Sequence, residues 1–436
     1  MRYRSTRGAP AVGLDEALIQ GIAPDGGLFL PEQIPNFALE QFDDAVSITD
    51  VAGVMLAPFF EHSTLRDDLR AIIDETFYFD IPVVKLTSEP GWCGLLELFH
   101  GPTAAFKDVG AGFLAACLTR LEGNPESPLT ILVATSGDTG GAVAAAFNER
   151  SGMRVAVLYP DGRVSERQAH QLTCWGDNVL SLAVNGSFDD CQALVKAAMA
   201  DPSLAAAHRF SSANSINIGR LLPQAIYYAY SSLVHWRERR QKPSYIVPTG
   251  NLGNAFACYL AREMGLPIGD IVLATNENRL IVDFLDGADW APRASIQTLA
   301  SAMDVGNPSN MERLRATGGD AASIGRKVRA ASVSDRQIEE EIGRNFAEFG
   351  FATCPHTATA TYVWRHLDRE DRERQDWILA ATAHAAKFEQ IVEPIIGQKV
   401  PVPAELAAIR SRERRFTVIE PELTARANAL DHGFAD

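Results

Sequence analysis

Apolar positions recur every three or four places through residues 46–60 and 65–79, after an opening in which Asp25-Gly26-Gly27, Pro31 and Pro35 interrupt any regular period. The spacing predicts a loop-rich start followed by helices, closed by Pro82 and a turn at Glu89-Pro90-Gly91. Beyond this point the pattern changes to short unbroken apolar runs, each followed by a glycine-containing loop and a helical period. Strand 129–134 leads through loop 135–141 to a helix beginning at 142–147, and the next strand is 155–158. The same order returns in strand 245–247, loop 248–254, helix 255–264 and strand 271–274, then in strand 377–381, loop 382–384 and helix 385–391. Strands that alternate with helices imply an α/β fold with parallel, doubly wound sheets. The expected division is an N-terminal subdomain over 1–90, a first α/β region over 91–225 and a larger α/β domain over 226–436. No repeat of 20 to 50 residues occurs, and the charged run 369–374 reads as a solvated helix face.

Composition narrows the classes. The 436 residues are 46% hydrophobic and 22% charged, a balance that suits a multidomain globular chain and neither a disordered nor a fibrous one. The formal charge of −15 argues against a broad nucleic-acid or anionic-membrane surface. Six scattered cysteines without metal-ligand spacing point to free thiols in a reducing compartment and to no metal site. Neither a signal-type apolar segment after the basic N-terminus nor a run of membrane-spanning length is present, so a cytoplasmic protein without a cleaved leader is expected. Of the 40 basic residues only seven are lysines, and the other 33 are arginines. In such a chain a lysine in an apolar segment invites a chemical reading, because burial can neutralise lysine.

Ligands of open parallel sheets collect where strands end and helix N-termini offer free N–H groups. Three junctions have that form. Thr135-Ser136-Gly137-Asp138-Thr139-Gly140-Gly141 is rich in hydroxyls and glycines and suits a carboxylate or phosphate. Thr249-Gly250-Asn251-Leu252-Gly253-Asn254 reads as a phosphate cup for something other than a nucleotide, since it lacks both the P-loop ending and the dinucleotide spacing. Thr382-Ala383-His384 places a hydroxyl where a ring nitrogen could bond to it. Lys107, after Ala104-Ala105-Phe106 and before a helix of small residues, suits a Schiff-base lysine whose amine is neutralised by desolvation. The same position also suits a lysine that reaches solvent or pairs with Asp108.

The segment His100-Gly101-Pro102-Thr103-Ala104-Ala105-Phe106-Lys107-Asp108 resembles the cofactor-lysine signature of the threonine synthase family, of the longer bacterial and fungal type, within the fold-type II pyridoxal-phosphate enzymes. Tyr3-Arg4-Ser5-Thr6-Arg7-Gly8 and Pro24-Asp25-Gly26-Gly27-Leu28-Phe29-Leu30-Pro31 are similar to its N-terminal subdomain, and because the likeness starts at residue 3 no transit peptide is expected. The loops above, together with Ser212-Ala213-Asn214-Ser215-Ile216-Asn217-Ile218-Gly219-Arg220, Gly306-Asn307-Pro308-Ser309-Asn310 and Ala381-Thr382-Ala383-His384-Ala385-Ala386-Lys387-Phe388, continue the likeness in order along nearly the whole chain. The resemblance implies two doubly wound sheet domains with pyridoxal 5′-phosphate in the cleft between them and a small N-terminal subdomain. Lys107 would hold the cofactor and shuttle protons. Gly250, Asn251, Leu252, Gly253 and Asn254 would cup its phosphate, and Thr382 would meet its pyridine nitrogen. Thr135, Ser136, Gly137, Asp138 and Thr139 would receive the substrate, although more distant relatives carry Asn where Asp138 stands, so this carboxyl is expected to be protonated or turned away. Ser215, Asn217 and Arg220 would meet the substrate's phosphate, with Asn307 and Ser309 behind them and Lys387 as a further anion contact. Ala104 and Ala385 replace a larger apolar residue and a proline, which touches local packing.

The activity implied is that of a lyase acting on phosphates, converting O-phospho-L-homoserine and water to L-threonine and phosphate. The partner expected is this small molecule, with no nucleic acid or membrane, in a monomer or homodimer. Two other readings share parts of the pattern: a fold-type II dehydratase or phospholyase, and a non-catalytic phosphometabolite-binding protein. A cleft with locally positive charge inside an acidic surface is also expected.

Overall fold

The computed structural model describes residues 1–87, 91–135, 137–422, 429–430 and 433–434, so Glu89 and Pro90 of the expected turn lie outside the described residues. Two sheets carry the architecture. One has five parallel strands in the order Thr417–Ile419, Val179–Val184, Met153–Pro160, Leu129–Ala134 and Phe210–Ser212. The other has six, in the order Arg329–Ser332, Ile271–Thr275, Ser244–Pro248, Trp377–Ala381, Cys93–Glu97 and Val83–Thr87, with only the last antiparallel to its neighbour. Every residue of Leu129–Ala134, Ser244–Pro248 and Trp377–Ala381 is buried, which is why these strands read as unbroken apolar runs and not as alternating ones.

Helices cover the sheet faces. Lys107–Glu122 and Ile218–Arg239 pack against each other, and Ile218–Arg239 also packs on Gly253–Glu263, tying the two sheets through one apolar core. The N-terminal residues join that core: Phe29, Phe42 and Phe59 pack in it, and Tyr3–Ser5 pairs antiparallel with Phe29–Pro31 as a two-stranded ribbon. The expected helices appear as Ile48–Phe60 and Leu69–Thr76, and Arg369–Arg374 is a helix with no buried residue. The helices after the ligand loops begin earlier than their apolar periods suggest, at Asp138 and Gly253, because the polar loop residues form the first turns. The last predicted helix is a 3-10 turn, Ala385–Phe388, followed by helix Glu389–Ile396. Among the described residues no helix is long and apolar enough to cross a membrane.

The segments 1–90, 91–225 and 226–436 are not the units that the sheets make. Val83–Thr87 and Cys93–Glu97 belong to the six-stranded sheet beside Trp377–Ala381, and the C-terminal Thr417–Ile419 returns to the edge of the five-stranded sheet. Strand pairing between residues hundreds of positions apart leaves no local mark in a sequence, so each sheet draws strands from more than one of these segments.

Arg313 joins these parts. Its side chain is fully buried, and it donates to the carbonyls of Phe29, Ser215 and Ile216 and to Asn310 Oδ1. It thereby ties the N-terminal ribbon to two loops that flank the cavity described below. Burial lowers its pKa to about 9, which still leaves it charged at neutral pH. Arg313→Ala would leave several buried carbonyls unpaired, and a loss of about 3–5 kcal/mol in urea unfolding is expected. Arg369→Ala, on the exposed helix, should stay within about 0.5 kcal/mol of the parent.

Candidate active site

The carboxyl ends of both sheets open on one cavity of about 830 Å³, lined by Lys107, Asp138, Arg220, Asn254, His356 and Thr382 among others. Its wall extends to Gln20, Pro24 and Gly26 of the N-terminal region and to Gln192 and Lys196 of helix Phe188–Ala200. Four basic residues, Lys107, Lys196, Arg220 and Arg293, line it against the acidic Asp138 and Asp304, so the cavity is locally positive within an acidic chain.

Lys107 is fixed by its neighbours. Phe106 N donates to Thr382 O at 2.9 Å and His384 N to Ala104 O at 3.0 Å, so residues 104–106 lie antiparallel against 382–384. Lys107 begins helix Lys107–Glu122 immediately after this bridge. Ala104 takes a left-handed φ of 53° inside the core, where a β-branched residue would be strained. The pairing of Lys107 with Asp108 is not formed: the Asp108 carboxylate accepts from Thr103 N at 2.9 Å and from Thr103 Oγ1 at 2.5 Å. Among the described residues no carboxylate lies within ion-pair distance of Lys107 Nζ, which sits 4.8 Å from the centre of the Phe106 ring. Burial therefore dominates and lowers Lys107 to about 8, with Asp138 opposing and Lys387 and Arg220 adding to the shift. Such an amine has a usable neutral fraction near neutral pH.

Loop 249–254 forms the second wall. Leu252 holds a left-handed φ of 63° as the N-cap of helix Gly253–Glu263, turning the loop sharply into the helix. A Cβ on Gly250 would meet Met303 Cα at 2.6 Å, so only glycine fits there. Asn251 locks the loop to its neighbours through Nδ2 to Ser215 Oγ at 2.7 Å and through Oδ1, which accepts from Ser309 N at 2.5 Å. Tyr227 and Tyr228 hydroxyls both donate to Asn254 Oδ1, at 2.6 and 2.9 Å, and leave the buried Asn254 Nδ2 without a partner. An amide donor held with its N–H groups unused, beside a helix N-terminus and a partly neutral lysine, fits a ligand that carries a phosphate and an aldehyde. Pyridoxal phosphate has that chemistry. Loop 250–254 would take its phosphate, Lys107 its aldehyde carbon, and Thr382, which lines the cavity, its ring nitrogen.

The remaining expectations divide. Thr135 and Thr139 line the cavity, and Thr135 Oγ1 closes its own loop by accepting from Gly137 N and Gly140 N, each at 2.9 Å. Gly137, at φ 138°, shapes the loop against Gln168 and is not part of the lining; Ser136 lies outside the described residues. Asp138 lines the cavity, but its carboxyl is not protonated, and its Oδ1 meets Lys387 and Gln168, neither of which belongs to the lining. Burial alone would raise its carboxyl, yet the Lys387 ammonium, 2.9 Å from Oδ1, and the Lys107 amine hold it well below the usual range. Lys387 is accordingly not an anion contact, since its Nζ is spent on Asp138 and on Thr103 O at 2.7 Å. Asn217 is also withdrawn from the site. Its Oδ1 caps helix Ile218–Arg239 by accepting from Gly219 N at 2.9 Å, and its Nδ2 donates to Leu18 O and Ser212 O. Ser215, Asn307 and Ser309 line the cavity. So does Arg220, a buried guanidinium whose Nε has no hydrogen-bond partner and which has no ion-pair partner among the described residues. Burial lowers it to about 10.

Three lining features escaped the sequence reading. Asn214, one residue before Ser215, reaches the cavity with a buried Oδ1 that has no partner. Residues of the N-terminal region complete the wall. His356, in the first turn of helix Pro355–His366, is 3% exposed; its Nε2 accepts from Ala302 N at 3.1 Å, which places its proton on the unpartnered Nδ1. The only sequence signal was a Cys354-Pro355 start that aims a helix N-terminus inward.

Two largely parallel sheets with a half-buried lysine and a phosphate-type loop at their carboxyl ends define a fold-type II pyridoxal-phosphate enzyme. Residues 82–382 match the family described as pyridoxal-phosphate dependent enzyme, residues 2–77 the threonine synthase N terminus, and residues 357–429 the threonine synthase C-terminal region. The chain belongs to the threonine synthase family. A threonine synthase from Serratia marcescens is 39% identical over 398 residues, covering 91% of each chain. A crystal structure of pyridoxal-phosphate-bound threonine synthase from Brucella melitensis superposes with a TM-score of 0.89 at 33% identity over 100% of both chains. The yeast threonine synthase structure gives 0.89 at 30% identity, over 99% of this chain and 98% of that one. The chain is thus a pyridoxal-phosphate-dependent lyase of this family.

Burial holds both His356 and His384 down to about 4, against about 6.5 in an unfolded chain. Between these values the unfolded chain binds more protons, so stability falls as pH drops from about 6.5 to 4 and recovers as pH rises. Urea unfolding across this window should show that slope, and His356→Phe should flatten it by up to about 1.4 kcal/mol per pH unit. An unchanged slope would mean that His356 is not the buried neutral group described.

Proposed function

We propose that the cavity converts O-phospho-L-homoserine and water to L-threonine and phosphate. The observation that carries this reading is Arg220: a buried cation with an unpartnered Nε, in the same cavity as Lys107, asks for an anionic group on the substrate. The substrate's phosphate lies against Arg220, with Ser215 and Asn214 beside it and Asn307 and Ser309 behind. Its carboxylate is received by Thr135, Thr139 and the first amides of helix Asp138–Phe147.

Bound pyridoxal phosphate supplies an electron sink for carbanions next to the substrate's nitrogen. The chain's residues supply the rest. Lys107 Nζ, released when the substrate's amine takes its place, removes the proton from Cα and moves protons between Cα, Cβ and Cγ as the phosphate leaves Cγ and water adds at Cβ. An amine held near 8 suits both directions of that transfer at neutral pH. Thr382 presents a neutral hydroxyl to the ring nitrogen, which moderates how strongly the ring withdraws electrons. The walls from the N-terminal region and from helix Phe188–Ala200 limit water, so that addition occurs at Cβ on the ordered side. The six cysteines, all free and buried, accord with a reducing compartment such as the cytoplasm.

Incubation of the cofactor-loaded enzyme with O-phospho-L-homoserine should yield threonine and phosphate in equal amounts. Arg220→Gln should raise KM for this substrate by about tenfold to a hundredfold, as expected for a lost charge-assisted hydrogen bond. Phosphate released with 2-oxobutyrate in place of threonine would show a phospholyase or dehydratase, and absence of turnover a binding protein.

A further inference from the structure

Asp138 and Lys387 form a buried ion pair that spans the two sheets. Asp138 opens helix Asp138–Phe147 behind the five-stranded sheet, and Lys387 lies in the turn Ala385–Phe388 that follows Trp377–Ala381 in the six-stranded one. Their side chains are 4% and 1% exposed. The bonding is dense: Lys387 Nζ meets Asp138 Oδ1 at 2.9 Å and Thr103 O at 2.7 Å, Gln168 Nε2 donates to Asp138 Oδ1 at 3.2 Å, and Gln171 Nε2 donates to Thr103 O at 3.3 Å. Thr103 in turn holds Asp108, the residue next to Lys107.

A buried pair of this kind adds little stability compared with apolar residues of the same size, so its presence calls for another role. Its placement supplies one. Asp138 lines the cavity with Lys107, whereas Lys387 stands behind it. We propose that Lys387 is a positioning residue that fixes the Asp138 carboxylate in the cavity wall and offsets its charge, and that this pair sets the electrostatic field in which the Lys107 amine works. The charged groups whose fields reach Lys107 are Asp138, Lys387, Arg220 and Asp108, and His356 lines the same cavity. An unpaired Asp138 carboxylate would favour the Lys107 ammonium, which cannot attack a carbonyl carbon. An unpaired Lys387 would push the other way. Together they offset, and burial is left to decide the protonation of Lys107. The pair also explains how a carboxylate can occupy a position where an amide would be simpler, since its charge is already answered from behind.

This inference rests on Lys107 being the reactive amine, and its test is independent of turnover. The full chain, stripped of cofactor, is labelled with acetic anhydride across pH 6–11, and the labelling midpoint of Lys107 is read by peptide mass spectrometry. Lys387→Gln should raise that midpoint by about one pH unit, a tenfold drop in neutral amine at a given pH below it, and Asp138→Asn should lower it by a similar amount. The double variant Asp138→Asn/Lys387→Gln should return close to the parent, and Lys387→Arg, which keeps the cation, should stay there. If Lys387→Gln does not fold, the double variant must still lie above Asp138→Asn. Single variants that move Lys107 in the same direction or not at all, or a double variant equal to Asp138→Asn, would overturn the proposal. The threonine-forming assay separates this failure from failure of the proposed reaction, because the labelling midpoint needs no substrate.

Discussion

An amine withdrawn from water without a counter-ion is unfavourable, and the structure around the half-buried Lys107 is arranged to hold one. Its neighbour Asp108 is diverted to Thr103, Asp138 is answered by Lys387, and the backbone bridge between 104–106 and 382–384 fixes where the helix that Lys107 opens begins. Desolvation then lowers its proton affinity, and the cavity gains a nucleophile that is partly neutral under ordinary conditions. The fold's long-range pairing of Cys93–Glu97 with Trp377–Ala381 is what brings the two bridged segments together.

The same logic governs the anion sites. Arg220 and Asn254 are buried donors whose orientation is set by neighbours, Ala213 O for Arg220 and the two tyrosine hydroxyls for Asn254, and each keeps a polar atom unpaired. Arg313 holds the carbonyls of Ser215 and Ile216 from behind, so the loop that carries Asn214 and Ser215 is anchored by a residue that never enters the cavity. Preorganised donors of this kind are worth more in a water-poor cleft than at a surface. The −15 net charge is therefore no obstacle to phosphorylated ligands, because the basic groups are concentrated where the sheets end.

Much of this was readable from residue order. Strand 129–134, strand 377–381 and the glycine-bearing loops after them are local features, and Lys107 stood out against a background of arginines. What was not legible depended on direction or on distant pairing. Asn217 sits in the expected substrate motif, yet its amide points back to cap its own helix and to hold Leu18 O. Lys387 lies in a ligand-bearing motif but faces Asp138, and nothing local distinguishes a lysine that meets a ligand from one that meets a carboxylate 249 positions earlier. The N-terminal wall belongs to segments that carry no local mark of their approach to the cavity, and for His356 the Cys354-Pro355 helix start is the one such mark.

The proposed reaction depends on Lys107 as the residue that bonds to the cofactor. Borohydride reduction of the full chain in the presence of pyridoxal phosphate, followed by peptide mapping, addresses this directly. A single pyridoxyl label on Lys107 is the predicted result. Label on Lys387 or Lys196 instead, or a chain that stays colourless and unlabelled, would contradict it.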